Sequence, residues 1–372
     1  MTTTSNIVDE RERKILAPYA MFSSESEGRE YDEPEHPYRG PFQRDRDRIL
    51  HSSAYRRLSG KMQVFTGEMG DYHRTRLTHT QEVATIARTI GRVLGLNEDL
   101  IEALALMHDI GHPPYGHAGE DALHECIEDE GGFSHNQFAL TIVREMEFRY
   151  KATPGLNLTL ECLQGQTHRI DKKDDVRPLL EVQLVDAADS MTYDAHDTDD
   201  ALKLELVTLD EMAEESALIR EVIGYVKSNY SDLTDGFMRQ AVVHRLIELQ
   251  VSDLIEHCQS ELNRFAFPTA EKARRSRFLV GPSPGFAEKK KELERFLYAR
   301  VYRHPRLLKV RDAAQARLKE MYEGFVKNPA WLPNKYQQRA DKIGIRRMAV
   351  DYLAGMTDQF CEQVYHEHFV KK

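Results

Sequence analysis

Apolar residues recur along this chain every three to four positions, the spacing that lines one face of a helix. Val83, Ile86, Ile90, Val93 and Leu94 form one such stripe, predicting a helix that opens at His79 and stops at Gly95. Asn97 is placed to cap the next helix, Glu98 to Asp109, with Leu100, Leu104 and Met107 inside. Gly111, Pro113 and Pro114 end it, so His108 and Asp109 are expected at its C-terminus, facing a loop. The same spacing predicts helices over 43–60, 133–149, 159–168, about 178–193, 208–230, 235–266, 286–301, 304–326 and 337–370. Residues 67–71 read as a loop and 171–177 as a charged linker. Alternation of period two is scarce, so the expected fold is all-α.

Residues 1–40 are polar and broken by Pro18, Pro34 and Pro37, which suggests a poorly ordered arm or a lid. A core is expected over 41–266. A linker follows over 267–285, where Pro268, Arg274, Arg275, Arg277, Gly281, Pro282, Pro284 and Gly285 cluster. Residues 286–372 are expected to add C-terminal helices that pack back on the core.

Composition narrows the class. Of 372 residues, 41% are hydrophobic and 30% charged, ordinary for a globular protein. No apolar run is long enough for a membrane span, and the first residues lack the apolar region of a signal peptide. Cys126, Cys162, Cys258 and Cys361 are far apart, which suits a reducing cytoplasm. The net charge of −10 argues against a protein devoted to nucleic acid. Yet residues 39–76 are basic, with Arg39, Arg44, Arg46, Arg48, Arg56, Arg57, Lys61, Arg74 and Arg76. A basic segment in an acidic protein suits a phosphate-bearing substrate.

The chemistry concentrates at residues 108–120, HDIGHPPYGHAGE, which hold His108, Asp109, His112, His117 and Glu120. Histidine and carboxylate are the usual mixed ligands of a catalytic divalent metal. Neighbouring side chains on a helix diverge, so His108 and Asp109 need partners from elsewhere. His79 upstream and Asp189 downstream are the candidates, with Asp186 the nearest competitor of Asp189. Asp189, Tyr193 and Asp197 stand at i, i+4 and i+8, on one face if the helix persists. Spacing alone leaves a ligand face and an exposed acidic helix end equally open. His135 adds one more imidazole downstream.

These motifs have a family likeness. With YRRLSGKMQVF at 55–65, RLTH at 76–79, ADSMTY at 188–193 and DYLAGMTD at 351–358, the chain resembles the HD-domain metallophosphohydrolases, whose pattern is H…HD…D. Within them it is similar to the deoxyguanosine triphosphate triphosphohydrolase branch. The resemblance implies an all-α HD-domain helical bundle and the metal ligands His79, His108, Asp109 and Asp189. Such a set suits Mn²⁺ or Mg²⁺ foremost, with Fe²⁺, Ni²⁺ and Zn²⁺ compatible. It implies catalytic roles for His112 and Glu120, with His117 and His135 at the phosphates. Arg76 matches a phosphate-binding arginine, and Gln63 and Asp197 match contacts to sugar hydroxyls. Tyr193 would pack on the deoxyribose, and Tyr352 would help exclude a 2′-hydroxyl. Animal members carry lysine directly after the metal aspartate; here it is Ser190, which leaves Arg56, Arg57 or Lys61 to meet phosphate charge.

The implied activity is metal-dependent hydrolysis of a deoxynucleoside triphosphate (dNTP) to deoxynucleoside and tripolyphosphate, by attack of water at the α-phosphorus. Family members are commonly homo-oligomers, often hexamers, and some need an allosteric nucleotide. The alternatives are another HD phosphohydrolase, such as a nucleotidase, a phosphodiesterase or an alarmone hydrolase, or a binding protein. The basic segments at Lys272–Arg277 and Lys289–Lys291 motivate the last, as a nucleotide sensor or a binder of single-stranded nucleic acid.

Overall fold

The computed structural model of the chain describes residues 4–63, 74–171 and 177–370. Among them the only β pairing is two isolated bridges, Arg29–Thr159 and Met62–Thr75. The all-α expectation therefore holds. In chain order the helices are α1 (Thr4–Ile15), α2 (Pro41–Leu50), α3 (Ser53–Arg57), α4 (Arg76–Leu94), α5 (Glu98–Met107), α6 (Gly116–Cys126), α7 (His135–Thr141), α8 (Leu160–His168), α9 (Leu180–Lys203), α10 (Leu209–Glu215), α11 (Ala217–Asn229), α12 (Asp235–Phe265), α13 (Ala270–Arg274), α14 (Pro284–Phe296), α15 (Pro305–Lys327), α16 (Asn334–Ile343), α17 (Ile345–Ala354) and α18 (Asp358–His368).

Side-chain caps set many of these starts. Ser52, Thr159, Thr208, Ser216, Thr234, Thr269, Ser283 and Thr357 each accept a hydrogen bond from the backbone N–H three residues on. They also explain where the hydrophobic pattern ran on too far. Ser52 splits the predicted helix 43–60 into α2 and α3. Gly344, at φ 85°, and the Thr357 cap split 337–370 into three. Three helices lay outside the prediction: α1, α6 and α13. The loop at 67–71 and residues 172–176 of the charged linker lie outside the described residues.

The chain forms two compact units. The first comprises Met1–Glu25, Glu82–Glu102 and Asp174–Leu308. In it α12 packs on α9 and α11, and α14 on α10 and α11. Residues of the expected arm are pinned here. Buried Glu12 on α1 accepts from the Ser23 N–H at 2.7 Å and the Asn97 side-chain amide at 3.1 Å. Asn97 in turn accepts from the Leu100 N–H at 3.3 Å, capping α5 as expected. The segment 267–285 carries α13 and is tied down by Val280 N–H donating to Gln183 and Ser283 to Asp253.

The second unit comprises Ser26–Gln81, Ala103–Lys173 and Lys309–Lys372. In it α7 packs on α8, and α17 on α6 and α16. Fully buried Asp45 organises one corner, accepting from the guanidinium of Arg29 at 2.5 Å and the hydroxyl of Thr159 at 2.6 Å. This unit carries the histidine-rich motif.

Candidate active site

The first turn of α4 supplies Arg76 and His79, both buried. The helix α5 ends at Met107, so His108 and Asp109 open the turn beyond it. His108 Nδ1–H donates to the Ala105 carbonyl at 2.6 Å, which leaves the lone pair on Nε2. His79, His108 and Asp109 each bring one ligand atom within 4.8 Å of the others. Two imidazoles and a carboxylate, buried and converging, are a donor set that fits a divalent cation. The fourth expected ligand, Asp189, is half-buried on α9 in the first unit.

A second imidazole–carboxylate group follows at once. Gly111 permits it: a Cβ there would lie 2.0 Å from the His135 carbonyl oxygen, so only glycine lets α7 approach this closely. The rings of His112 and His135 stack, with centroids 3.7 Å apart and planes at 29°. His112 Nδ1 lies 3.1 Å from Asp109 Oδ1, and its Nε2 has no hydrogen-bond partner among the described residues. Glu120, on α6, accepts from Nδ1 of His135 at 2.8 Å and Nδ1 of His117 at 3.2 Å. It also accepts from the His135 backbone N–H at 2.9 Å. One carboxylate thus aligns two imidazoles.

These contacts set the charges. Burial first, and the Arg76 guanidinium next, hold His112 well below the ordinary histidine value, so it is neutral near pH 7. Burial works to raise Asp109, but the Nδ1–H of neutral His112 and the charged Arg76 guanidinium outweigh it and keep the carboxyl ionised. Burial also opposes ionisation of Glu120, yet its bonds from His117 and His135 hold it well below the usual carboxylate range.

Arg76 donates to Asp109 at 2.8 Å and to the Gln63 carbonyl at 3.3 Å. It is therefore anchored beside the HD pair. Gln63 is buried, and its side-chain oxygen has no hydrogen-bond partner among the described residues. Lys61, one of the three cations left to meet phosphate charge, is buried and donates to the carbonyls of His112 and Ala354.

In the first unit, α9 persists past Asp197, so Asp189, Tyr193 and Asp197 do share a face. Sequence reasoning missed Tyr302. It ends a π turn, Leu297–Tyr302, a helix defect often found at functional sites. Its ring stacks on Tyr193 at 6.1 Å and 10°, and its hydroxyl donates to Asp197. No spacing links residue 302 to α9, so only the fold brings them together. Tyr352, expected at the sugar, lies in the second unit, where its ring packs against Tyr336 at 4.8 Å and Phe325 at 5.3 Å.

Comparison with known proteins gives this arrangement a family. Residues 76–194 match the HD domain, and residues 280–367 match a phosphohydrolase-associated domain. A deoxyguanosinetriphosphate triphosphohydrolase-like protein of Geobacter metallireducens is 41% identical, covering 94% of each chain. Proteins with the same description from Nitrosomonas europaea (38% identical, covering 96% of this chain and 98% of the relative) and Leptospira interrogans (37%, covering 96% and 97%) are also similar. The chain belongs to this dGTPase-like family of HD-domain phosphohydrolases. As a member it is a hydrolase of a family whose HD domains bind divalent metals. Its HD match holds His79, His108, Asp109, His112, His117, Glu120 and His135, while Tyr302 and Asp358 fall in the associated domain. Among the described residues no helix is long and apolar enough to cross a membrane.

Proposed function

We propose that this protein is a metal-dependent dNTP triphosphohydrolase that cleaves its substrate to deoxynucleoside and tripolyphosphate, with water attacking the α-phosphorus. The observation that carries the reading is the contact between the candidate metal cluster and the second imidazole–carboxylate group. The cluster His79, His108 and Asp109 lies against His112, whose Nδ1 is 3.1 Å from Asp109. A divalent cation held by these three would neutralise phosphate charge and acidify water. Everything else is done by the chain's own side chains. Neutral His112 has Nε2 open to take a proton from water, the task of a general base. His135 and His117, aligned by anionic Glu120, are the groups to hold phosphate oxygens and hand a proton to the departing 5′-oxygen. Arg76 keeps Asp109 ionised and in place. To the deoxyribose we assign Tyr193 and Asp197 on α9, with Tyr302 against them, rather than Tyr352.

Against the binding-protein alternative, several of the cations that motivate it are engaged in ion pairs. Lys289 pairs with Glu221 at 2.6 Å, Lys291 with Glu288 at 2.8 Å, Lys290 with Asp194 and Glu294, and Arg275 with Glu271 at 2.5 Å. Those cations already have intramolecular partners. The deciding experiment incubates the protein with each dNTP, singly and mixed, with Mn²⁺ or Mg²⁺, and separates the products. Deoxynucleoside plus tripolyphosphate supports the reading. Mono- or diphosphate products would move the activity to another HD phosphohydrolase.

A further inference from the structure

We propose that Lys61 and Asp358 form a latch that positions the catalytic loop, Lys61 acting on His112 and Asp358 on Tyr115. The proposal rests on the reading of His112 as the proton-transferring group. Lys61 is buried and donates to two backbone carbonyls, those of His112 and, at 2.9 Å, Ala354. Asp358 answers from the other side: its carboxylate accepts from the Met62 N–H at 2.9 Å and the Tyr115 N–H at 3.0 Å. Two adjacent residues, 61 and 62, are thus tied to the C-terminal segment 354–358. Through Lys61 and Asp358, both ends of the loop 112–115 are tied there as well.

The loop requires such holding. Tyr115 has φ 63°, a left-handed conformation unfavourable for a non-glycine residue and maintained only by its surroundings. Its hydroxyl donates to Glu362 on α18 at 2.9 Å and accepts from Arg317 on α15 at 3.1 Å, and Arg317 pairs with Glu362. The His112 imidazole makes no hydrogen bond through Nε2 among the described residues. Its position therefore depends on its stack with His135, its contact with Asp109 and the carbonyl that Lys61 grips. Burial pushes Lys61 down to about 7, but a neutral amine keeps two N–H groups, one for each carbonyl. The latch survives in either charge state. The Lys61 amine is buried and directed at these two carbonyls, so we treat it as a positioning residue. Its effect belongs in turnover rather than in binding.

The test measures steady-state kinetics on dNTP with Mn²⁺, metal content and melting temperature for Lys61→Met and Asp358→Asn. The asparagine keeps the volume but offers an N–H where one backbone N–H needs an acceptor. We expect kcat to fall about 10- to 100-fold, the cost of a small misplacement of a catalytic group. KM should stay within about threefold and metal content should match wild type. Partial recovery of kcat in Lys61→Ala on adding n-propylammonium would support the same conclusion. Wild-type kcat in both variants, with only the melting temperature lowered, would overturn it. If Lys61→Met fails to fold, Asp358→Asn decides by the same criteria. A wild-type protein without metal-dependent turnover removes the reading of His112 and the latch with it, whereas an active wild type with unaffected variants removes the latch alone.

Discussion

His112 stacks on His135 at 3.7 Å while its Nδ1 lies 3.1 Å from Asp109, so one buried ring touches both halves of the site. Replacing it should separate chemistry from metal binding. For His112→Ala we expect metal content and fold to be kept and kcat to drop about 10²- to 10⁴-fold, the usual contribution of a positioned acid or base. Metal analysis alongside single-turnover kinetics checks this. Turnover at the wild-type rate would remove His112 from the mechanism.

Asp109 should behave differently, because it has two jobs. It belongs to the convergent donor set and it neutralises Arg76, which is 2% exposed. Asp109→Ala should therefore lose metal, turnover and stability together. Stranding a buried cation costs about 3–5 kcal/mol. Denaturant titration in the presence of a chelator isolates that last part. A variant that binds metal and unfolds at the wild-type midpoint would contradict both assignments.

Tyr302 and Tyr352 offer a direct contrast. Tyr302 meets Tyr193 and Asp197, the proposed sugar contacts, whereas Tyr352 is packed between Phe325 and Tyr336. Tyr302→Phe leaves buried Asp197 without that hydroxyl donor, a loss of about 1–3 kcal/mol. We expect kcat/KM on dNTP to fall and the preference for dNTP over the ribonucleotide to shrink, further in Tyr302→Ala. Tyr352→Leu should lower the melting temperature and leave that preference in place. The reverse pattern in a two-substrate competition assay would return the sugar to Tyr352.

The contrast also marks where sequence reading works here. Local signals carried well: the stripe Val83 to Leu94 is a helix, Asn97 caps the next, and the prolines after Gly111 leave His108 and Asp109 at a helix end. These depend on residues a few positions apart. α6 was hidden because the residues that serve the site, Gly116, His117 and Gly119, dilute its apolar pattern. The partnership of Tyr302 with Asp197 spans 105 positions, and that of Lys61 with the Ala354 carbonyl spans 293. Such pairs follow from how helices pack, which no local period encodes. Lys61 shows the same limit: its place in a basic stretch does not reveal that it is buried and donates to two backbone carbonyls.

That burial gives Lys61 a signature in the pH dependence of stability. Its value falls from 10.5 to about 7, mainly through burial, with Arg57 and Arg76 pushing the same way and Asp358 and Asp109 opposing. Between those two values the unfolded chain binds a proton that the folded chain does not. Stability from this group must therefore rise with pH across that window and level off below about 7, where both states are protonated. Lys61→Met has no such proton. The stability difference between wild type and this variant should grow in favour of wild type from pH 7 to pH 9, by on the order of 1 kcal/mol per pH unit. Urea titrations at matched ionic strength measure it. A difference that stays flat across the window would mean that Lys61 keeps an ordinary lysine value, and that water reaches the amine in spite of its 2% exposure.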